Sequence, residues 1–294
     1  MRAAKLQHRT IDAADGTRLS FHWRAGSAER VPLLVVPGLG MPAETWFAVL
    51  NRVDPARPVA AIDPRGSGRS GGLDGTVGAT SGDWCTNIGG SIFADDAIRV
   101  LDDLGWGRVH VAGISMGGMI AQHLAVLHPS RVLSLALVCT YGRPGPWTKL
   151  VWKLRQALAE HSQPAEQRMA AALFLTGPTA VDNDPAIIDK LMDLWEASPP
   201  NAAGYRAQMR FCAGHDLLDE LAPFGPAALV VSGADDLLCP PRCGEELAVA
   251  LGGRFVCVPG ATHLLTLEQP ATVANLLDAH LGTVEAMAIR STDA

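Results

Sequence analysis

Between residues 18 and 140 the sequence switches repeatedly between short apolar runs and segments with helical spacing, and few architectures accept that alternation. "RLSFHWRAG" (18–26), "VPLLVVPG" (31–38), "PVAAID" (58–63), "RVHVAGI" (108–114) and "RVLSLALVCT" (131–140) read as strands. "MPAETWFAVL" (41–50), "SIFADDAIRVLDDLGW" (91–106) and "MGGMIAQHLAVLH" (116–128) read as helices, the last stopped by Pro129. The run at 131–140 is almost continuously apolar, as a strand covered on both faces requires. Such alternation predicts an α/β fold, a mostly parallel sheet with helices on both faces.

The pattern breaks at about residue 141. From "YGRPGPW" to "FCAGHDLLDEL" helical periodicity continues without a strand, and alternation resumes with "AALVVSG" (227–233), "RCGEELAVAL" (242–251), "RFVCVPG" (254–260) and "PATVANLLDAHL" (270–281). Residues 1–140 and 216–294 therefore form one α/β core, and 141–215 form a helical insert. The last dozen residues read as a loose tail.

Composition narrows the function. Hydrophobic residues are 48% and charged residues 18%, enough apolar surface for a large core. The net charge of −6, with no basic block, gives nucleic acid no electrostatic footprint. No apolar run reaches membrane-spanning length and the N-terminus has no export-signal pattern, so a soluble cytoplasmic protein is expected, with no membrane partner. The six cysteines (Cys85, Cys139, Cys212, Cys239, Cys243, Cys257) are then expected as reduced thiols. Cys239 and Cys243 are a close pair, but no second Cys or His cluster completes a zinc site, and neither a metal nor a cofactor is expected.

The corner at 113–117 carries the chemistry. Gly113-Ile114-Ser115-Met116-Gly117 is G-x-S-x-G between a strand and a helix. A serine at so sharp a corner takes a strained backbone, and side chains two residues either side would collide with their neighbours. Its Oγ is held at a helix N-terminus, where peptide dipoles favour negative charge. A hydroxyl needs a base. Of nine histidines, His263 follows the last strand in "VPGATHLLTLEQP", at the sheet edge where parallel α/β folds gather ligands; the others lie within strands, helices or the N-terminal segment. The acid that orients it should come from another strand end: "VVSGADDLLCPP" offers Asp235 or Asp236, whereas "LVCTYG" has no carboxylate.

From about residue 10 to 282 the chain resembles the α/β-hydrolase fold enzymes, on "PGLG" (37–40), "DPRGSGRS" (63–70), "GISMGG" (113–118), "GADDLLCP" (233–240) and "GATHLLTLEQP" (260–270). The resemblance implies an eight-stranded, mostly parallel sheet with a helical cap between strands six and seven. It implies a catalytic Ser115, His263 and Asp236, the acid lying four residues before Pro240. It also implies an oxyanion hole from the backbone N–H groups of Leu39 and Met116. This chain has Pro37-Gly38 where many members have His-Gly, and backbone donors do not depend on that side chain.

Other features read as structural. Asp63 and Arg65 are expected to tie down the "DPRGSGRS" loop, which lacks the lysine a phosphate-binding P-loop needs. Asp95, Asp96, Asp102 and Asp103 read as a solvated helix face. Trp147, Trp152, Trp195 and Tyr205 of the insert, and Trp46, are helix-packing residues that can border a pocket. A serine nucleophile disfavours the aspartate-dependent dehalogenase and epoxide hydrolase chemistries of this fold. The expectation is hydrolysis of a small-molecule ester or lactone. The alternatives are acyl transfer, thioester or carbon–carbon bond hydrolysis with the same triad, or a receptor without turnover.

Overall fold

A computed structural model describes residues 5–72, 89–161, 164–199 and 202–292. Eight strands, β1 (Gln7–Asp12), β2 (Arg18–Arg24), β3 (Leu33–Val36), β4 (Val59–Asp63), β5 (Val109–Ile114), β6 (Val132–Val138), β7 (Ala228–Gly233) and β8 (Arg254–Val258), form one sheet. The order is β1-β2-β4-β3-β5-β6-β7-β8; β2 runs antiparallel to both β1 and β4, and all the other pairs are parallel.

The helices are α1 (Phe47–Leu50), α2 (Gly90–Asp103), α3 (Met116–Leu127), α4 (Pro146–His161), α5 (Pro164–Asn183), α6 (Ile187–Ala197), α7 (Ala202–Gly214), α8 (Pro241–Leu251), α9 (Leu265–Glu268) and α10 (Pro270–Thr292). Central strands alternate between two cores because successive side chains leave a strand on opposite faces. In β3, Leu34 and Val36 join Phe93 of α2, Met119 and Ile120 of α3 and Leu247 of α8. Leu33 and Val35 join Trp46, Val49 and, from α10, Val273 and Leu277. All four β3 side chains are fully buried, each burial contributing about 1.5–3 kcal/mol.

Helices α4 to α7 all lie between β6 and β7 in the chain and pack Trp152, Leu175, Trp195 and Phe211 into the α3-side core. Where the sequence suggests a loose tail, α10 continues to Thr292. Leu281 and Val284 are buried, and Glu285 accepts bonds from Arg57 Nη1 (2.6 Å) and the Val31 N–H (3.1 Å), which holds the extension against the sheet. Among the described residues no helix is long and apolar enough to cross a membrane. The five described cysteines are free thiols; Cys85 lies outside the described residues.

Candidate active site

Ser115 stands between β5, in the middle of the sheet, and α3. Its φ of 54° and ψ of −120° put a non-glycine residue in a conformation that costs about 1–3 kcal/mol. The corner is pinned: the Ser115 N–H donates to the Val138 carbonyl (2.9 Å), and the Ser115 carbonyl accepts from Thr140 Oγ1 (2.8 Å) and from the N–H groups of Gly118 and Met119. The flanking glycines are sterically required. A Cβ on Gly113 would overlap the Gly117 carbonyl, and one on Gly117 would overlap the Val36 carbonyl.

The loops after β7 and β8 are joined by the Asp235 N–H on the Ala261 carbonyl and the Ala234 N–H on the Val258 carbonyl (2.9 Å each). Asp236 and His263 meet there, with His263 Nδ1 2.8 Å from Asp236 Oδ2 and both residues buried. Asp236 Oδ1 accepts the N–H groups of Leu238 (2.9 Å) and Cys239 (2.7 Å), so both oxygens of the carboxylate are engaged in fixing it. Asp235 is half-buried, lines an outer groove and has no bond to His263. On the far side of the histidine loop, the Thr262 N–H donates to Glu268 (2.9 Å).

Ser115 and His263 line one cavity, together with Gly38, Leu39, Met41, Thr45 and Ile114 from the core and Trp152, Arg155, Leu175 and Trp195 from the inserted helices. About 40 Å³ is open to the centres of water molecules, room for a few waters at roughly 10–15 Å³ each. The Pro37–Gly40 turn reaches the serine closely: a Cβ built on Gly38 would lie 3.5 Å from Ser115 Cβ. Leu39 thus sits beside the serine, and Met116 is the first residue of α3, whose opening N–H groups have no intrahelical acceptor.

Comparison with known sequences agrees with this architecture. The profile of the Alpha/beta hydrolase family matches residues 33–276. The chain belongs to the alpha/beta hydrolase family. A Variovorax paradoxus protein provisionally named carbamate hydrolase RutD is 30% identical over 230 residues, 77% of this chain and 82% of that one. A Caulobacter vibrioides protein with the same provisional name is 27% identical over 269 residues, 91% and 96% of the two chains. A Pseudomonas aeruginosa hydrolase superposes with a TM-score of 0.76 at 25% identity, covering 95% of this chain and 99% of that one. The enol-lactonase from Burkholderia xenovorans shares the fold, with a TM-score of 0.77 at 24% identity over 93% and 100% of the chains.

Around this alpha/beta hydrolase site some sequence expectations change. Trp46 does not border the cavity; it is fully buried on the opposite face of the sheet with Val49 and Leu277. Asp96 is not solvated: it is buried and receives Arg65 through Nε and Nη2 at 2.6 Å each, while Arg65 Nη1 reaches Asp15 at 2.6 Å. Asp63 ties down its loop as expected, accepting the N–H groups of Ala43 (2.7 Å) and Arg69 (3.0 Å). Asp236, Cys239 and His263 offer ligand atoms within 4.8 Å of one another. A cation there would displace the Asp236–His263 bond, and burial pushes the Cys239 thiol well above its ordinary range, away from the thiolate that ligates metals.

Two side chains unmarked in the sequence belong to the site. Gln208 of α7 accepts the Gly40 N–H (2.8 Å) and donates to the Arg65 carbonyl (2.9 Å), clamping the Leu39 turn to the loop after β4. Arg155 of α4 lines the cavity itself. Neither has a motif: each is one polar residue in a helical repeat, and only the packed fold aims it inward.

Proposed function

We propose that this alpha/beta hydrolase is a serine hydrolase of small ester-like substrates, with Ser115 as nucleophile, His263 as base and Asp236 as the group that orients the base. The reading rests on one observation: a strained serine shares a cavity with an imidazole whose Nδ1 is held at 2.8 Å by a buried carboxylate. With Nδ1–H donating to Asp236, Nε2 is the acceptor for the Ser115 proton. Ser115 Oγ adds to the acyl carbon as its proton passes to Nε2. The N–H groups of Leu39 and Met116 receive the oxyanion, each such donor contributing about 3–4 kcal/mol in comparable sites. Nε2 then protonates the leaving oxygen, the acyl–oxygen bond breaks, and a water deprotonated by the same nitrogen releases the acid from Ser115.

Helices α4 to α7 act in this scheme as a cap, since Trp152, Leu175 and Trp195 wall the cavity with apolar surface that excludes bulk water. The relatives' carbamate hydrolase name and the neighbour's enol-lactonase name both describe cleavage at an acyl carbon, which supports this class of substrate. A fluorophosphonate probe tests the reading. Wild-type protein is expected to be labelled on Ser115, and Ser115→Ala to lose the label while keeping its circular dichroism. Labelling retained by the alanine variant removes Ser115 from the mechanism.

A further inference from the structure

Arg155 brings a fixed positive charge into the wall of the Ser115 cavity. Each of the other buried arginines has two or more acceptors within the protein. Arg57 meets Glu285 at 2.6 Å, Arg65 meets Asp96 and Asp15, and Arg24 donates to the Leu50 and Asp54 carbonyls. Arg155 is 7% exposed, and among the described residues it forms no ion pair. Its Nη2 donates to Tyr205 Oη at 2.7 Å, which occupies one of five N–H groups, and its guanidinium lies 4.9 Å from the Trp152 ring centroid.

The support beneath it is rigid. Trp152 Nε1 donates to Tyr141 Oη (2.8 Å), and Tyr141 donates to the Cys212 carbonyl (2.6 Å), all of these residues being buried. The cation is therefore stacked and positioned before any ligand arrives, in the same cavity as the nucleophile. A buried charge lacking an opposite charge is costly, and a ligand that supplies one recovers that cost on binding. With a chain charge of −6 the bulk field does not attract anions, so a local cation is what would hold one.

We infer that the substrate carries a free carboxylate besides the acyl group, and that Arg155 binds it: a half-ester of a short dicarboxylic acid, or a lactone bearing a carboxylate. This rests on Ser115 being the nucleophile. Ser115 and Arg155 line the same cavity, so the two groups of one small molecule can engage them together.

Monomethyl glutarate and methyl pentanoate, equal in chain length and differing in the distal carboxylate, decide the matter. Wild type is expected to favour the half-ester by roughly 10- to 100-fold in kcat/KM, the range of a charge-assisted hydrogen bond. Arg155→Gln is expected to collapse that ratio through KM, and Arg155→Lys to restore part of it. Calorimetric binding of the two esters to the Ser115→Ala protein needs neither turnover nor a change at Arg155, and the half-ester is expected to bind at least tenfold more tightly. Equal binding overturns the arginine assignment, as does an unchanged substrate ratio in folded Arg155→Gln. Loss of fluorophosphonate labelling by wild type would instead overturn the nucleophile, leaving the binding comparison to judge Arg155 separately.

Discussion

At the scale of single residues, the site is built from groups whose freedom has been removed. Ser115 is held in its strained conformation by the Val138 carbonyl and the Thr140 hydroxyl, so the hydroxyl is presented without a further ordering step. Asp236 is held as firmly, with one oxygen on two backbone N–H groups and the other on His263. This makes a clean test of its role. In Asp236→Asn an amide keeps the shape, but it can place a donor against Nδ1 and favour the tautomer whose Nε2 carries the proton. On the proposed mechanism the expected outcome is a fall of roughly 10⁴-fold in kcat for ester hydrolysis with little change in KM, the loss seen when the acid of a Ser-His-Asp triad becomes an amide. Asp235→Asn, on the half-buried outer groove, should stay within about threefold, since surface substitutions commonly change free energies by less than about 0.5 kcal/mol. Steady-state kinetics on one ester compares both, and a loss below tenfold in Asp236→Asn would rule out the orienting role.

At the scale of elements, α7 registers the turn after β3 against the loop after β4. Gln208 binds the Gly40 N–H with its carbonyl and the Arg65 carbonyl with its amide, while Ser67 Oγ lies 2.9 Å from the same amide. Gln208→Ala leaves two buried backbone groups without partners, at about 1–3 kcal/mol each. Because the released turn carries Leu39, whose N–H the proposed mechanism assigns to the oxyanion, kcat should fall about tenfold while KM changes less; urea unfolding and kinetics on the same sample separate the two effects, and an unchanged kcat would detach α7 from that role. The strand–helix alternation, the Gly113–Gly117 corner and the Asp236 and His263 loops were legible in the sequence because each is a local pattern: apolar periodicity, a glycine requirement, a position just after a strand. What local pattern could not supply is equally physical. β1 escapes notice because Gln7–Asp12 is an edge strand exposed along most of its length, without an apolar face. Trp46 and Trp152 are both aromatic and buried, yet one fills the core and the other walls the cavity. Helical spacing marks a buried face but not whether a void lies against it. Asp96 reads as solvated because its partner Arg65 is 31 residues away in the chain.

At the scale of the whole molecule, acid should be the chain's weak point. Burial lowers His110, His123 and His280 from 6.5 to about 4, and His215 to about 3, so the folded protein holds all four neutral where the unfolded chain would protonate them. They are spread over the fold, on β5, α3 and α10 and just after α7, so no single local opening relieves them. The sign follows from proton counts. Between about pH 6.5 and 4 the unfolded state binds more protons, so stability is full above 6.5 and is lost progressively as pH falls towards 4. A depression of that size is about 3 kcal/mol for one histidine, against a total stability of about 5–15 kcal/mol for a domain. Asp96 and Asp278, whose carboxyls burial raises, oppose the trend, but they are fewer and each is partly offset by a neighbouring arginine. The expected result is a Tm at pH 5 at least about 10 °C below that at pH 7.5. Proton uptake should accompany unfolding at pH 5, with a smaller uptake in His280→Gln. Calorimetry in buffers of different ionisation enthalpy measures both. A Tm that stays level from pH 7.5 to 5, or unfolding that releases protons there, would mean that these imidazoles are already charged inside the fold.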